Sequence, residues 1–201
     1  MQTPAPTSRL QHLMTALRRI LVAAFCAASL AAGMASSPAL AQNANYDLLK
    51  AIDKQDVEEV ERLLRTGVNP DTRRRSSKEP ALIIATRLNN LGLINALIAA
   101  GANVDIQDPE RGETPLMLRS IAGDTATMRI LLDAGADTNA TDRSLETALM
   151  KAVRGRQARP VALLIEHGAD PHKQDVTGNS AYDYAQASRH RRIQNLLENA
   201  N

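Results

Sequence analysis

Four short stretches of this chain carry the same order of apolar and polar positions. They read Leu63-Leu64-Arg65-Thr66-Gly67-Val68-Asn69, Leu97-Ile98-Ala99-Ala100-Gly101-Ala102-Asn103, Leu131-Leu132-Asp133-Ala134-Gly135-Ala136-Asp137 and Leu164-Ile165-Glu166-His167-Gly168-Ala169-Asp170. Their glycines stand 34, 34 and 33 residues apart, a period of the length used by helical repeat proteins. In each stretch the paired aliphatic residues predict the core-facing side of an amphipathic helix. The glycine just past them predicts a left-handed helix end, where a residue without Cβ meets no steric penalty. About ten residues rich in Asn, Asp, Thr, Ser, Gly and Pro precede each next helix, the chemistry of a projecting hairpin-like loop. Another helix is predicted to begin near Leu48, Leu82, Leu116 and Leu149, so each unit holds two short helices and one loop.

The best-formed unit runs from Thr114-Pro115-Leu116-Met117 to Asp137. Here the chain resembles the ankyrin-repeat family, whose signature is T-P-L-H-x-A-A followed about 20 residues later by L-L-x-x-G-A-D. The resemblance implies an all-α ankyrin-repeat solenoid of about five helix-turn-helix units joined by hairpin-like loops. The units are expected at 43–72, 73–106, 107–140 and 141–173 with a C-terminal cap at 174–201, together one domain over 42–201. There are departures from the family pattern. Its histidine column holds Leu49, Ile83, Met117, Met150 and Asp183, and only Gly123 matches the usual glycine between the two helices. Asn89 tolerates the left-handed geometry needed there, whereas Gln55 and Arg156 adopt it at greater cost. Arg119 stands where the family has a small buried alanine. Either repeat 3 splays locally, or the position has a task of its own, or the side chain runs out past its neighbours to solvent. The end units look like caps, with Asp53-Lys54-Gln55-Asp56 and Glu58-Glu59 at one end and Arg189-His190-Arg191-Arg192 at the other expected to face water.

The first 41 residues differ in kind, with no Asp, Glu or Lys and a run of apolar and small residues from Ile20 to Ala35 behind Arg18-Arg19. With Ala39-Leu40-Ala41 they predict a secretory signal peptide over 1–41, cleaved after Ala41, and a periplasmic or secreted mature chain. The run falls short of the roughly 20 apolar residues that cross a bilayer, so no membrane attachment is expected after cleavage. Translation from Met14 would give a leader of more usual proportions. The paired arginines also resemble a twin-arginine signal, but Ile20-Leu21-Val22 follows them, which ranks general secretion ahead. A mitochondrial transit peptide fits a single apolar block less well.

Composition, at 44% hydrophobic and 23% charged residues, is that of an ordinary globular protein. Without Arg9, Arg18 and Arg19 the 24 basic residues fall to 21 against 22 acidic, a mature net charge of about −1. No general attraction to nucleic acid or anionic membrane follows. The one cysteine, Cys26, lies in the leader, which excludes disulfides, thiolate metal sites and a Cys nucleophile from the mature chain. No G-x-x-x-x-G-K-[ST], G-x-G-x-x-G or G-x-S-x-G motif occurs. His167, His172 and His190 lack zinc-motif spacing and read as exposed loop residues, so neither metal nor cofactor is expected. Asp71, Asp105, Asp108, Asp142 and Asp175 recur in the loops at the repeat period, the mark of turn-forming roles rather than of an acid-base pair. With only Tyr46, Tyr182 and Tyr184 as aromatics, the mature chain has no stacking platform for single-stranded nucleic acid. The pattern points away from an enzyme.

The resemblance implies a protein-protein interaction module that binds through loop tips and the exposed side of each first helix. Transferred to this chain, those columns contain Arg73, Arg74 and Arg75 on one tip, then Arg87, Arg111, Arg143 and Arg154. Glu79, Glu110, Glu113 and Glu146 share the strip. Arginine forks onto carboxylates and is favoured at binding hot spots, so a protein partner with an acidic surface is expected, bound by a monomer. The plainer alternative is that these charges are solvated surface. Among bacterial relatives of this type some protect against peroxide or neutralise toxic effectors. An accessory, regulator or immunity-type protein for a periplasmic enzyme or toxin is therefore a second reading, and a secreted effector acting on host proteins a third.

Overall fold

In the computed structural model the described residues are 38–199, with side-chain surroundings from Asn43 onward. The predicted leader and Cys26 lie outside them, except for Pro38–Ala41, which open the first helix. Residues Leu40–Asn201 form one compact unit. Its described part is built of helix pairs: α1 (Pro38–Asp53) with α2 (Val57–Arg65), α3 (Ala81–Arg87) with α4 (Leu91–Ala99), α5 (Pro115–Ala122) with α6 (Thr125–Asp133), α7 (Ala148–Arg154) with α8 (Ala158–Glu166), and α9 (Ala181–Ala187) with α10 (Arg191–Glu198). Between the pairs lie loop 1 (68–80), loop 2 (102–114), loop 3 (136–147) and loop 4 (169–180). Two isolated bridges, Arg73 to Pro80 and Gln174 to Ser180, are the extended pairing among the described residues.

Local chemistry sets the ends of these helices. Gly67, Gly101, Gly135 and Gly168 have φ of 88, 86, 89 and 81°, the left-handed turn after each second helix. A Cβ at any of the four would meet no atom within 4 Å, so the backbone angle and not space requires glycine there. The turn inside each pair is left-handed too, through Gln55, Asn89, Gly123, Arg156 and Arg189. Asp56, Asn90 and Asp124 cap α2, α4 and α6 with side-chain oxygens, and Thr114, Thr147 and Ser180 cap α5, α7 and α9. The residues in the family's histidine column have their own uses. The N–H groups of Thr114 and Thr147 donate to Met117 Sδ at 3.5 Å and Met150 Sδ at 3.4 Å, and Asp183 receives the N–H of Ser180 at 2.8 Å.

The buried apolar residues gather in two clusters, Leu48 to Ile106 and Leu116 to Leu197, with half-buried Ile98 packed against both. Where the second and third pairs meet, Arg119 is not splayed into solvent. Its side chain is 13% exposed, its Nη1 donates to Asn89 Oδ1 at 2.9 Å in the preceding turn, and its Nε is buried without a hydrogen-bond partner. The end caps are wet as expected at Asp53 to Asp56 and Arg189, Arg191 and Arg192, but His190 is half-buried at the start of α10. No described helix is long and apolar enough to cross a membrane.

Candidate partner-binding strip

The loops are held in register by their own carboxylates and amides. The N–H of Asn103 donates to Asp71 Oδ1 at 2.9 Å, that of Asp137 to Asp105 Oδ1 at 3.0 Å, and that of Asp170 to Asn139 Oδ1 at 2.8 Å. Each bond ties one loop to the next. Burial pushes the Asp105 carboxyl up, the N–H of Asp137 draws it back, and the Asp137 charge adds to the rise. Within each later loop a buried aspartate gathers the turn. Asp108 Oδ1 accepts the N–H of Arg111 and Glu113, Asp142 Oδ1 that of Ser144 and Glu146, and Asp175 Oδ1 that of Thr177 and Asn179. These aspartates are structural, as their periodic spacing indicates. At the tip of loop 3, Leu145 takes a φ of 57° with 48% of its surface exposed, where loops 2 and 4 place Gly112 and Gly178.

Loop 1 departs from this plan, because Arg74 occupies the column of the buried aspartates. Its turn has only Ser77 Oγ to receive the N–H of Glu79, at 3.4 Å. Arg74 instead reaches back to the end of α1, with Nη2 donating to Asp53 Oδ1 at 2.6 Å and Nη1 to Oδ2 at 3.1 Å. One repeat later the same two columns hold the reverse pair, Arg87 at the end of α3 and Asp108 in loop 2, at 3.1 Å. The ion pair is retained and its polarity is inverted.

A residue absent from the sequence reading dominates the centre of the strip. Lys151 shares a column with Ile84, Leu118 and Tyr184, four places after Pro80, Thr114, Thr147 and Ser180. It is buried, and its ammonium lies 2.8 Å from Glu113, 2.8 Å from Asp142 and 3.1 Å from Glu146. Burial alone would lower its pKa, but hydrogen bonds to Asp142, Glu113 and Glu146 outweigh that and raise it. A lysine in an aliphatic column stays charged only with such partners, and that was the available signal.

The seven arginines of the strip fall into different states. Arg87 is held by Glu79 at 2.6 Å as well as by Asp108. Arg154 pairs with Glu146 and lies over the Tyr184 ring at 5.7 Å. Arg143 donates to the carbonyl of Pro109 at 2.8 Å, and Arg73 to that of Lys78 at 3.3 Å. Arg74 is paired with Asp53, while Arg75 and Arg111 are exposed and carry no ion pair among the described residues. Hollows open on the strip among the described residues. One of about 260 Å³ is lined by Arg111, Glu113, Ile121, Glu146, Lys151 and Arg154, and one of about 640 Å³ by α1 and loop 1. No cluster of three or more potential metal ligands occurs among the described residues.

Stacked helix pairs that interlock their loops and present one row of tips define a repeat-type binding scaffold. The profile described as ankyrin repeats (3 copies) matches residues 48–142 and 82–175, and the chain belongs to the ankyrin-repeat family. It is 38% identical over 106 residues to an ankyrin repeat-containing protein of Treponema pallidum (strain Nichols), covering 53% of this chain and 36% of that one. It is 30% identical over 155 residues to ankyrin repeat and SOCS box protein 6 of Homo sapiens, covering 74% and 37%. An L-asparaginase of Dirofilaria immitis is 41% identical over 97 residues, covering 48% and 16%. In each case the matched stretch is well under half of the relative's length. Ankyrin repeats form protein-protein interaction modules and are in general not enzymes.

Proposed function

We propose that this chain is an exported, monomeric module that holds a protein partner against its loop tips and first helices and catalyses nothing itself. The observation that carries the reading is how the strip uses its charges. Lys151 and the loop aspartates are consumed in building a rigid surface, and Arg75 and Arg111 are left pointing outward on it. Binding through a preformed row of tips suits a scaffold whose repeats lock to one another. An acidic partner surface fits the outward arginines. Export rests on the leader over 1–41, and cleavage after Ala41 would leave Gln42 as the first residue of a shortened α1.

A photo-activated cross-linking residue tests the surface. It replaces Arg75, Arg111 or Leu145 on the strip, or Glu61 or Arg129 on the exposed sides of α2 and α6, and the chain is exposed to periplasmic extract. Adducts are expected from the strip positions alone. Adducts confined to Glu61 and Arg129 would place binding elsewhere and end the reading. For export, N-terminal sequencing of chain recovered from the periplasm is expected to begin at Gln42. An uncleaved chain retained in the cytosol would remove the exported half of the proposal.

A further inference from the structure

The larger hollow differs from the rest of the strip in its charge balance. It is lined by Tyr46, Lys50, Arg73, Arg74, Arg75 and Ser76, among others, with Leu49 in its wall. Among the described residues Asp53 is the one carboxylate in that wall, and Arg74 already holds it. The smaller hollow sets Arg111, Lys151 and Arg154 against Glu113 and Glu146. The excess of positive charge is therefore one in the smaller hollow and three in the larger, where Lys50, Arg73, Arg74 and Arg75 face Asp53. The excess comes from Lys50, Arg73 and Arg75, because the pair of Arg74 with Asp53 is neutral whichever way round it stands. Where later loops bury an aspartate beneath the tip, loop 1 carries a guanidinium that is 33% exposed.

We propose that the groove between α1 and loop 1 takes an extended acidic segment of the partner protein, with carboxylates on Arg73, Arg75 and Lys50 and an apolar side chain on Tyr46. This rests on the reading of the chain as a protein-binding module. The volume, about 640 Å³, lies in the range of clefts that take a drug-sized ligand, and the hollow is open enough for a chain to run through it. Arginine grips carboxylates two hydrogen bonds at a time, and Tyr46, 65% exposed, offers a rigid amphipathic surface beside it. The chain's own first 41 residues are a poor occupant, since they contain no acidic residue and carry Arg9, Arg18 and Arg19.

The test uses the full chain and a fluorescein-labelled decapeptide of alternating Glu and Leu, with its Gln counterpart as control, read by anisotropy. The acidic peptide is expected to bind at least about tenfold more tightly than the Gln peptide and to weaken as salt is raised. R73Q/R75Q is expected to lose about tenfold in affinity, and R129Q/R159Q, on the exposed sides of α6 and α8 away from the strip, to change it little. The double swap D53R/R74D keeps the ion pair but gives loop 1 the aspartate of the other loops. Because Arg73, Arg75, Lys50 and the net charge of the groove are unchanged, it is expected to melt like the parent and bind the peptide with little change. Equal binding of the Gln peptide, or equal losses in R129Q/R159Q, would overturn the proposal. So would displacement by a single-stranded oligonucleotide, or a dimer of the chain that R73Q/R75Q dissociates. If the natural partner cross-links at the strip yet binds R73Q/R75Q undiminished, the groove fails and the module stands. If no strip position cross-links, both fall.

Discussion

Loop 1 and loop 3 solve the same problem with opposite charges. Each must tie a projecting turn to the helix beside it. Loop 3 does so inside the protein, with Asp142, Glu146 and the loop 2 residue Glu113 closed around the buried ammonium of Lys151. Loop 1 does so at the surface, where Arg74 grips Asp53 and both partners remain substantially exposed. A buried charge is held by partners that cannot leave without large loss, whereas an exposed pair contributes little and remains accessible to a ligand. The Lys151 cluster at the centre of the strip is thus committed to structure, while the pair at its first end stays exposed.

Four measurements would break or sharpen this contrast. Replacing Lys151 by Met strands buried carboxylates and should cost about 3–5 kcal/mol in urea unfolding. A loss below about 1 kcal/mol would show that the cluster is solvated and no different from loop 1. Leu97, fully buried in the first apolar cluster, sets the scale for packing, since Leu97→Ala should cost about 2–5 kcal/mol. If that variant melts like the parent, the register of the helix pairs is wrong.

Acid should act on the C-terminal part of the strip. Burial alone would push the Asp175 carboxyl up, but hydrogen bonds from Thr177 Oγ1, Tyr184 Oη and the N–H groups of Thr177 and Asn179 outweigh it and hold it at about 2. A carboxyl lower in the folded than in the unfolded chain stabilises above its unfolded value of about 3.8, and that contribution is lost as pH falls toward 2. Melting followed from pH 5 downward should show this loss in the parent and a shallower one in Asp175→Asn. Parallel curves would contradict it. The smallest effect belongs to loop 1, where Arg74→Met should change stability by about 1 kcal/mol or less. A larger loss would make Asp53–Arg74 a structural pair like those of loop 3.

The helix pairs were legible in the sequence because their signals are local. A glycine forced to positive φ, a pair of aliphatic residues before it and a capping Thr or Ser each act within a few neighbours. Asp108, Asp142 and Asp175 were legible for the same reason, since each accepts N–H groups of its own turn, whereas Asp71 and Asp105 accept an N–H of the following loop. Arg119 was legible as an anomaly but not in its outcome, because the Asn89 side chain that receives it belongs to the preceding repeat. His190 has the sequence setting of an exposed loop residue, and its half-burial at the head of α10 depends on packing that no short window contains.

By itself the sequence determined the repeat length, the two-helix unit and the columns that face outward, since backbone sterics and amphipathic spacing are properties of adjacent residues. Only the tertiary structure decided which charges on those columns are free. Lys151 meets Glu113 across repeats, and Arg87 meets Asp108 in the following loop. Coulomb attraction depends on distance in space and on exposure to water, and neither can be read from position along the chain.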